Sequence, residues 1–292
     1  MGEVDETERI NKQGMVLSMI TINRNNAAGL EKTMQSVLSQ TGMDYEYVVV
    51  DGASTDDSVA VIERLAPAFG ARLKWISEPD KGIYNAMNKG IGMATGEYIQ
   101  ILNSGDSLVS PEVVEKMYVA LEKEGRPSIL YGNMLKDFPG GRVHRDTSFA
   151  GEEITLLGMY IGTLNHSPAY IRRSLFDKYG LYDESLKISS DWKWYLQAIV
   201  FGEEKPVYAD IDVTLFDMTG ISETNAGLTK TERAQVLKEL VPSNVLADYE
   251  AWVPSIRQMR RIKRHPWAYK IVWFLERVLF KLEKRKDKKV NG

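Results

Sequence analysis

Residues 97–106 read EYIQILNSGD, which has the form of a buried strand stopping on a small polar turn closed by a carboxylate. Tyr98, Ile99, Ile101 and Leu102 supply β-prone apolar bulk, and Asn103-Ser104-Gly105 ends the run. Open α/β sheets place their ligands outside the C-terminal ends of central strands. A carboxylate at that edge, Asp106, suits a hard divalent cation such as Mg²⁺ or Mn²⁺ held against a diphosphate, because both ions prefer oxygen ligands. An Asp that only closes a turn or caps the next helix would look the same in isolation, so the neighbouring segments must decide.

Upstream, strand-like and helix-like patterns alternate. Residues 15–23 (MVLSMITIN) predict a buried strand, followed by an amphipathic stretch to about residue 40 with Leu30, Met34, Val37 and Leu38 apolar. Residues 46–52 predict a second strand, and Ser54-Thr55-Asp56-Asp57 offers N-cap chemistry for a helix running towards Phe69. A third strand is expected at 73–78 and a helix at 82–93. This alternation predicts a parallel sheet with right-handed crossovers. Beyond Pro111 the pattern changes: a helix at 112–123, an antiparallel pair turning at Pro139-Gly140-Gly141, short helices and loops over 152–202, a strand region at 205–218, then helices at 229–249 and 254–289. No internal repeat is visible. The expected organisation is a polar segment at 1–14, one α/β domain at 15–250 with halves at 15–110 and 111–250, and a basic helical tail at 251–292.

The 292 residues include no cysteine, which excludes disulfides, thiolate metal sites and cysteine nucleophiles and fits a reducing cytoplasm. The acidic, polar N-terminus has no basic region followed by an apolar one, so no secretory signal is expected. No stretch approaches the roughly 20 apolar residues of a spanning helix. The net charge of −3 conceals an asymmetry: residues 257–289 carry 13 Lys or Arg and 3 acids, leaving 24 basic and 37 acidic side chains elsewhere. Within this tail Trp267, Ile271, Phe274, Leu275, Val278 and Leu282 recur at helical spacing. An interfacial helix on anionic lipid fits that pattern; a helix packed on the body or in a dimer interface is the alternative. Nucleic acid is not an expected partner, since no recognition motif accompanies the charge.

Other residues gather around the same sheet edge. Asp51 ends the second strand and Asp80, in Glu78-Pro79-Asp80, follows the third. Carboxylates at successive parallel strand ends are costly unless cations or hydrogen-bond donors offset them. Asp191, in Ser189-Ser190-Asp191-Trp192, stands at a helix start, where it reads either as a first-turn acid or as an exposed general base. His166, one of three histidines, sits in a loop before Ser167-Pro168. The glycines of residues 81–96 (KGIYNAMNKGIGMATG) match no dinucleotide fingerprint and follow a helix instead of a strand. Neither a P-loop nor a nucleophile elbow is present.

In combination these segments resemble the family 2 glycosyltransferases of the GT-A fold, especially bacterial surface-polysaccharide members. The resemblance rests on SMITINRNN, VVVDGASTDDS, SEPDKGIYNAMNKG and GEYIQILNSGD in that order, followed by HSPAYIRR, YGLYDES and SSDWKWYL, over residues 15–222. It implies a Rossmann-like mixed central sheet flanked by helices, with a helical C-terminal extension. It also implies that Thr21, Asn23, Asp51 and Asp80 line a nucleotide pocket with Lys89 nearby. Asn103 and Ser104 belong to the donor-binding turn, in which Asp106 is the surviving metal ligand. Asp191 is the implied base of an inverting reaction, and His166 and Ser222 border the acceptor. A UDP-sugar donor, a glycan or polyprenyl-linked acceptor, Mg²⁺ or Mn²⁺, and a cytoplasmic location at the inner face of the cell membrane follow from the same resemblance.

Asn103 and Gly105 stand where many relatives carry carboxylates, so the cation would have fewer protein ligands. The segment after Asp191 lacks the Arg-Trp signature of processive synthases, which favours single additions. A nucleotidyltransferase is the alternative enzyme, although residues 20–30 hold only Gly29 where a Gly-rich phosphate loop is needed. A catalytically inactive sugar-nucleotide-binding protein is the other alternative.

Overall fold

The computed structural model describes residues 16–218 and 225–290. Strands β1 (Leu17–Asn23) and β2 (Tyr45–Asp51) are buried along their whole length, as expected of continuous apolar runs covered on both faces. With β3 (Leu73–Ser77) and β4 (Tyr98–Ile101) they form a parallel set in the order β3-β2-β1-β4. Helices α1 (Ala27–Leu38), α2 (Ser58–Phe69) and α3 (Ile83–Met93) make the crossovers. Leu30, Met34 and Val37 recur at helical spacing and bury the inner face of α1. Gly90 lets α3 lie directly on β1, because a methyl group there would overlap the Ile20 side chain. The chain leaves β1 to one side for β2 and β3, then returns to its other side as β4. The crevice at the C-terminal ends of β1 and β4 is therefore the switch point of the sheet.

The second half makes the sheet mixed. After β5 (Ser107–Leu108) and α4 (Val113–Lys123), β6 (Ile129–Phe138) forms the expected antiparallel pair with β7 (Arg142–Asp146) around Gly140 and Gly141, both at positive φ. Strand β8 (Ala169–Arg172) runs antiparallel to both β4 and β6, and β9 (Val207–Asp217) runs parallel to β6 and antiparallel to β5. Short helices α5 (Leu156–Ile161), α6 (Ser174–Tyr179) and α7 (Ser190–Tyr195) connect them, α7 continuing as a π-helical turn at Leu196–Phe201. Trp192, Trp194 and Tyr195 of α7 are fully buried, Trp194 stacking on Phe176 at 4.8 Å between ring centroids. That aromatic anchor fixes α7, leaving Asp191 in its first turn on the outer side.

The C-terminal helices break at other points than expected. They are α8 (Ala226–Leu240), α9 (Ser243–Lys263) and α10 (Pro266–Val290). Pro242 caps α9 and Pro266 opens α10, where a missing N–H costs nothing, whereas Pro254 lies inside α9 and does not start it. The chain divides into two compact units, one ending at Val236 and the other beginning at Leu237. Among the described residues no helix is long and apolar enough to cross a membrane.

Candidate active site

The turn after β4 is fastened to the start of α1. Gly105 has φ +108°, a conformation that favours glycine. Its N–H donates to the Thr33 hydroxyl (3.0 Å), which in turn donates to the Asp106 carbonyl (2.6 Å). Asn26 caps α1, accepting from the Gly29 amide, and its Nδ2 donates to the Ser104 carbonyl at 3.2 Å. These bonds turn the Asp106 side chain inward, where it is 3% exposed. One of its oxygens accepts from the Asp217 amide at 3.1 Å, and the other is buried with no hydrogen-bond partner. Burial pushes its pKa up to about 7, against the opposing pull of the Asp217 amide and the His166 charge.

A second group centres on Asp191. Its Oδ2 lies 3.1 Å from His166 Nδ1, and its Oδ1 lies 2.9 Å from the Tyr84 hydroxyl. That hydroxyl is also 2.5 Å from the Ile188 carbonyl, so one proton serves two acceptors. Burial works to raise the Asp191 carboxyl, but the hydrogen bond and charge of His166, with Tyr84, hold it below the usual carboxylate range. Burial likewise works to lower His166, and Asp191 overcomes it, so the imidazole stays above its ordinary value. His166 Nε2 is 3.4 Å from Asn103 Nδ2. One imidazole thus links the β4 turn to the carboxylate of α7.

Both groups open onto one cavity of about 760 Å³, lined by Asn23, Asp80, Asn103, Ser104, Asp106, His166 and Asp191 among others. Asp80 is held by the Gly82 amide at 2.9 Å. Three of the expected residues do not line this cavity. Thr21 is fully buried, its hydroxyl accepting from Tyr47 at 2.9 Å inside the core. Asp51 is consumed within the protein. Its carboxylate accepts from Asn23 Nδ2, from the Ser54 amide and hydroxyl, and from the Ser77 hydroxyl, tying three strand ends together. Burial would raise its pKa, but these donors lower it. Lys89 pairs with Glu78 at 2.7 Å and donates to the Pro79 carbonyl, so it braces the loop before Asp80. Ser222 lies outside the described residues.

Residues 18–181 match the family model described as Glycosyl transferase family 2. The chain belongs to this family. It is 35% identical over 207 residues to an uncharacterized glycosyltransferase of Mycobacterium tuberculosis, covering 70% of this chain and 76% of that protein. In fold the glycosyltransferase is similar to TarS of S. aureus solved with UDP-GlcNAc, with a TM-score of 0.59, 21% identity and coverage of 73% of this chain. It is also similar to a mannosyltransferase of Pyrobaculum calidifontis solved with GDP-Man and Mn²⁺, with a TM-score of 0.53, 18% identity and 72% coverage. It spans 61% and 62% of those two chains, less than two thirds of either. The mixed sheet flanked by helices is thus a GT-A fold.

The glycosyltransferase also builds its site from residues that local sequence did not single out. Tyr84 lies inside the quoted KGIYNAMN segment, yet only the meeting of α3 with α7 brings it to Asp191. Asp217, at the end of β9, lines the cavity, and its carboxylate lies next to Gly105. From α8, Glu232 accepts from the successive backbone amides of Lys187, Ile188 and Ser189 at 2.7, 3.0 and 3.0 Å, clamping the turn that leads into α7. Its neighbour Arg233 lies over the Trp192 ring at 4.8 Å and donates to the Gly162 carbonyl at 3.2 Å. No turn or periodicity signal near residues 232–233 marks them, because their partners lie from 41 to 71 residues away in the chain.

Proposed function

We propose that this glycosyltransferase moves a sugar from a nucleoside diphosphate donor, a UDP-sugar, to a hydroxyl of a glycan or lipid-linked acceptor, with inversion, in surface-polysaccharide assembly. The observation that carries the reading is Asp191: a carboxylate kept ionised and oriented by His166 and Tyr84, on the wall of the cavity that also receives the turn after β4. The fold's likeness to TarS solved with UDP-GlcNAc supports the donor class.

A divalent cation fits the turn. Among the described residues no three His, Cys, Asp or Glu side chains converge as a metal cage. Asp106 nevertheless offers a buried carboxylate oxygen without a hydrogen-bond partner, the kind of atom a cation satisfies. Asp106 and Asp217 would hold the ion, with diphosphate oxygens and water completing its oxygen shell. Mn²⁺ in the Pyrobaculum mannosyltransferase structure supports this choice. Bound there, the ion offsets negative charge on the departing diphosphate.

The residues of this chain supply the rest. Asn103, Ser104 and Asp80 position the donor at the switch point. Asp191 takes the proton of the acceptor hydroxyl as its oxygen bonds to the anomeric carbon, and the bond from that carbon to the diphosphate oxygen breaks on the opposite face. His166 and Tyr84 hold the carboxylate in line and keep it unprotonated until that moment. Asp191→Asn is expected to lower transfer roughly 100- to 10,000-fold while donor binding, measured by calorimetry, stays nearly intact. Loss of donor binding in that variant would remove Asp191 from the role. Hydrolysis of a panel of nucleotide sugars without acceptor, with and without Mn²⁺, identifies the donor; no turnover of any donor would favour an inactive binding protein.

A further inference from the structure

Among the described residues, 16 large apolar side chains are exposed, and 12 of them fall within residues 252–282. The other four, Val119, Val143, Leu181 and Phe201, are scattered over the first unit and need no explanation. On α10 the exposed residues are ordered. Of the ten on this helix, Trp267, Ile271, Phe274, Val278 and Leu282 follow each other at helical spacing and form one stripe, from 38% exposed at Val278 to 68% at Trp267. Leu275 and Leu279 lie beside it, and Tyr269, Trp273 and Phe280 lie on the far side of Lys270, Arg277 and Lys281. Lys270, Arg277 and Lys281 share the same spacing and line one edge of it, while Glu276 lies on the opposite side of the helix. Over residues 257–282 there are eight Lys or Arg and a single acid.

We propose that this stripe and its edge of cations form a docking surface for an anionic lipid bilayer, on which α10 lies parallel to the plane. The apolar side chains enter the acyl boundary and the cations meet the lipid phosphates, as in other interfacial helices with a charged flank. Trp267 heads the stripe, in keeping with the preference of Trp for the headgroup level. A second copy of the chain is a poorer occupant, because pairing the stripes would crowd two strongly basic segments together, and like-charge juxtaposition across an interface is unfavourable. A bilayer span is excluded for this helix by its interrupting charges. The proposal depends on nothing in the cavity and stands whether or not sugar transfer is the reaction.

The test uses the full chain and sedimentation with vesicles of phosphatidylcholine, with and without phosphatidylglycerol. Binding is expected only where phosphatidylglycerol is present, and it should weaken as salt is raised. Phe274→Glu, which puts a charge in the centre of the stripe, is expected to abolish it. The triple variant Lys270→Glu, Arg277→Glu, Lys281→Glu should weaken it by at least about 100-fold, given the contribution of each cation near an anionic surface. Circular dichroism and thermal unfolding confirm that each variant is folded, as expected for exposed positions. Equal binding to neutral vesicles, no binding to either, or unchanged binding by both variants overturns the proposal. A lipid-free dimer that Phe274→Glu dissociates, seen by sedimentation equilibrium, would also overturn it and make the stripe an interface between copies.

Discussion

Asp106 has one oxygen bonded to the Asp217 amide and the other unpaired, and burial lifts its pKa from 3.8 to about 7. Between those values the folded protein holds a proton that the unfolded chain has released, so stability is lost as pH rises through the window. Metal-free protein should therefore become less stable than Asp106→Asn as pH is raised from about 4 to about 7. Parallel thermal-unfolding curves for the two would contradict this. A cation held by Asp106, as proposed above, would compete with the proton for the same carboxylate, so stabilisation by Mn²⁺ should grow over the same window and vanish in Asp106→Asn. Asp191 makes the opposite case. Burial pushes its carboxyl up and His166 holds it down. His166→Ala removes the restraint, and the acid limb of the pH–rate profile should move to higher pH, with kcat falling more than donor affinity. Both aspartates were legible as local features, one ending a strand and one starting a helix. The burial and bonding of Asp51 and Thr21 were not, because their hydrogen-bond partners come from neighbouring strands.

At the scale of elements, two contacts hold the site together. Glu232 of α8 accepts three backbone amides of the turn before α7. Glu232→Ala would leave those donors without a partner and is expected to cost at least about 2 kcal/mol. Denaturant unfolding measures that cost, and faster hydrogen exchange at Lys187–Ser189 localises it. A fall in kcat with donor affinity retained would show that the clamp serves Asp191. Glu232→Gln, which keeps one amide acceptor, should recover part of both. The second contact is Gly90 against Ile20, where α3 meets β1. Gly90→Ala is expected to destabilise by about 1–3 kcal/mol through overpacking, and equal stability would mean that β1 yields. Strand and helix identities in the first hundred residues were readable from periodicity. The C-terminal helix breaks were not, because all three prolines read alike locally, whereas the breaks lie at Pro242 and Pro266 and Pro254 is accommodated inside α9.

At the scale of the molecule, an acidic chain carries a strongly basic C-terminal segment, and the cavity is built wholly from residues before Leu237. UDP with Mn²⁺ should accordingly slow hydrogen exchange at Asn23–Asn26, Asp80–Tyr84 and Asn103–Asp106 while leaving residues 264–282 unchanged. Protection confined to the C-terminal helices would contradict that division. By itself the sequence determined the parallel β-α-β half and the polar turn after β4. It also determined the acid at the start of α7 and the basic amphipathic end. All of these are short-range patterns of burial, capping and charge. Only the tertiary structure decided that Asp51 and Thr21 are spent inside the protein, that Tyr84 and His166 share Asp191, and that Asp217 comes up beside Gly105. Such pairings depend on which strands and helices become neighbours in a mixed sheet. That choice is made by packing across tens to more than a hundred residues, a distance over which no local pattern carries a signal.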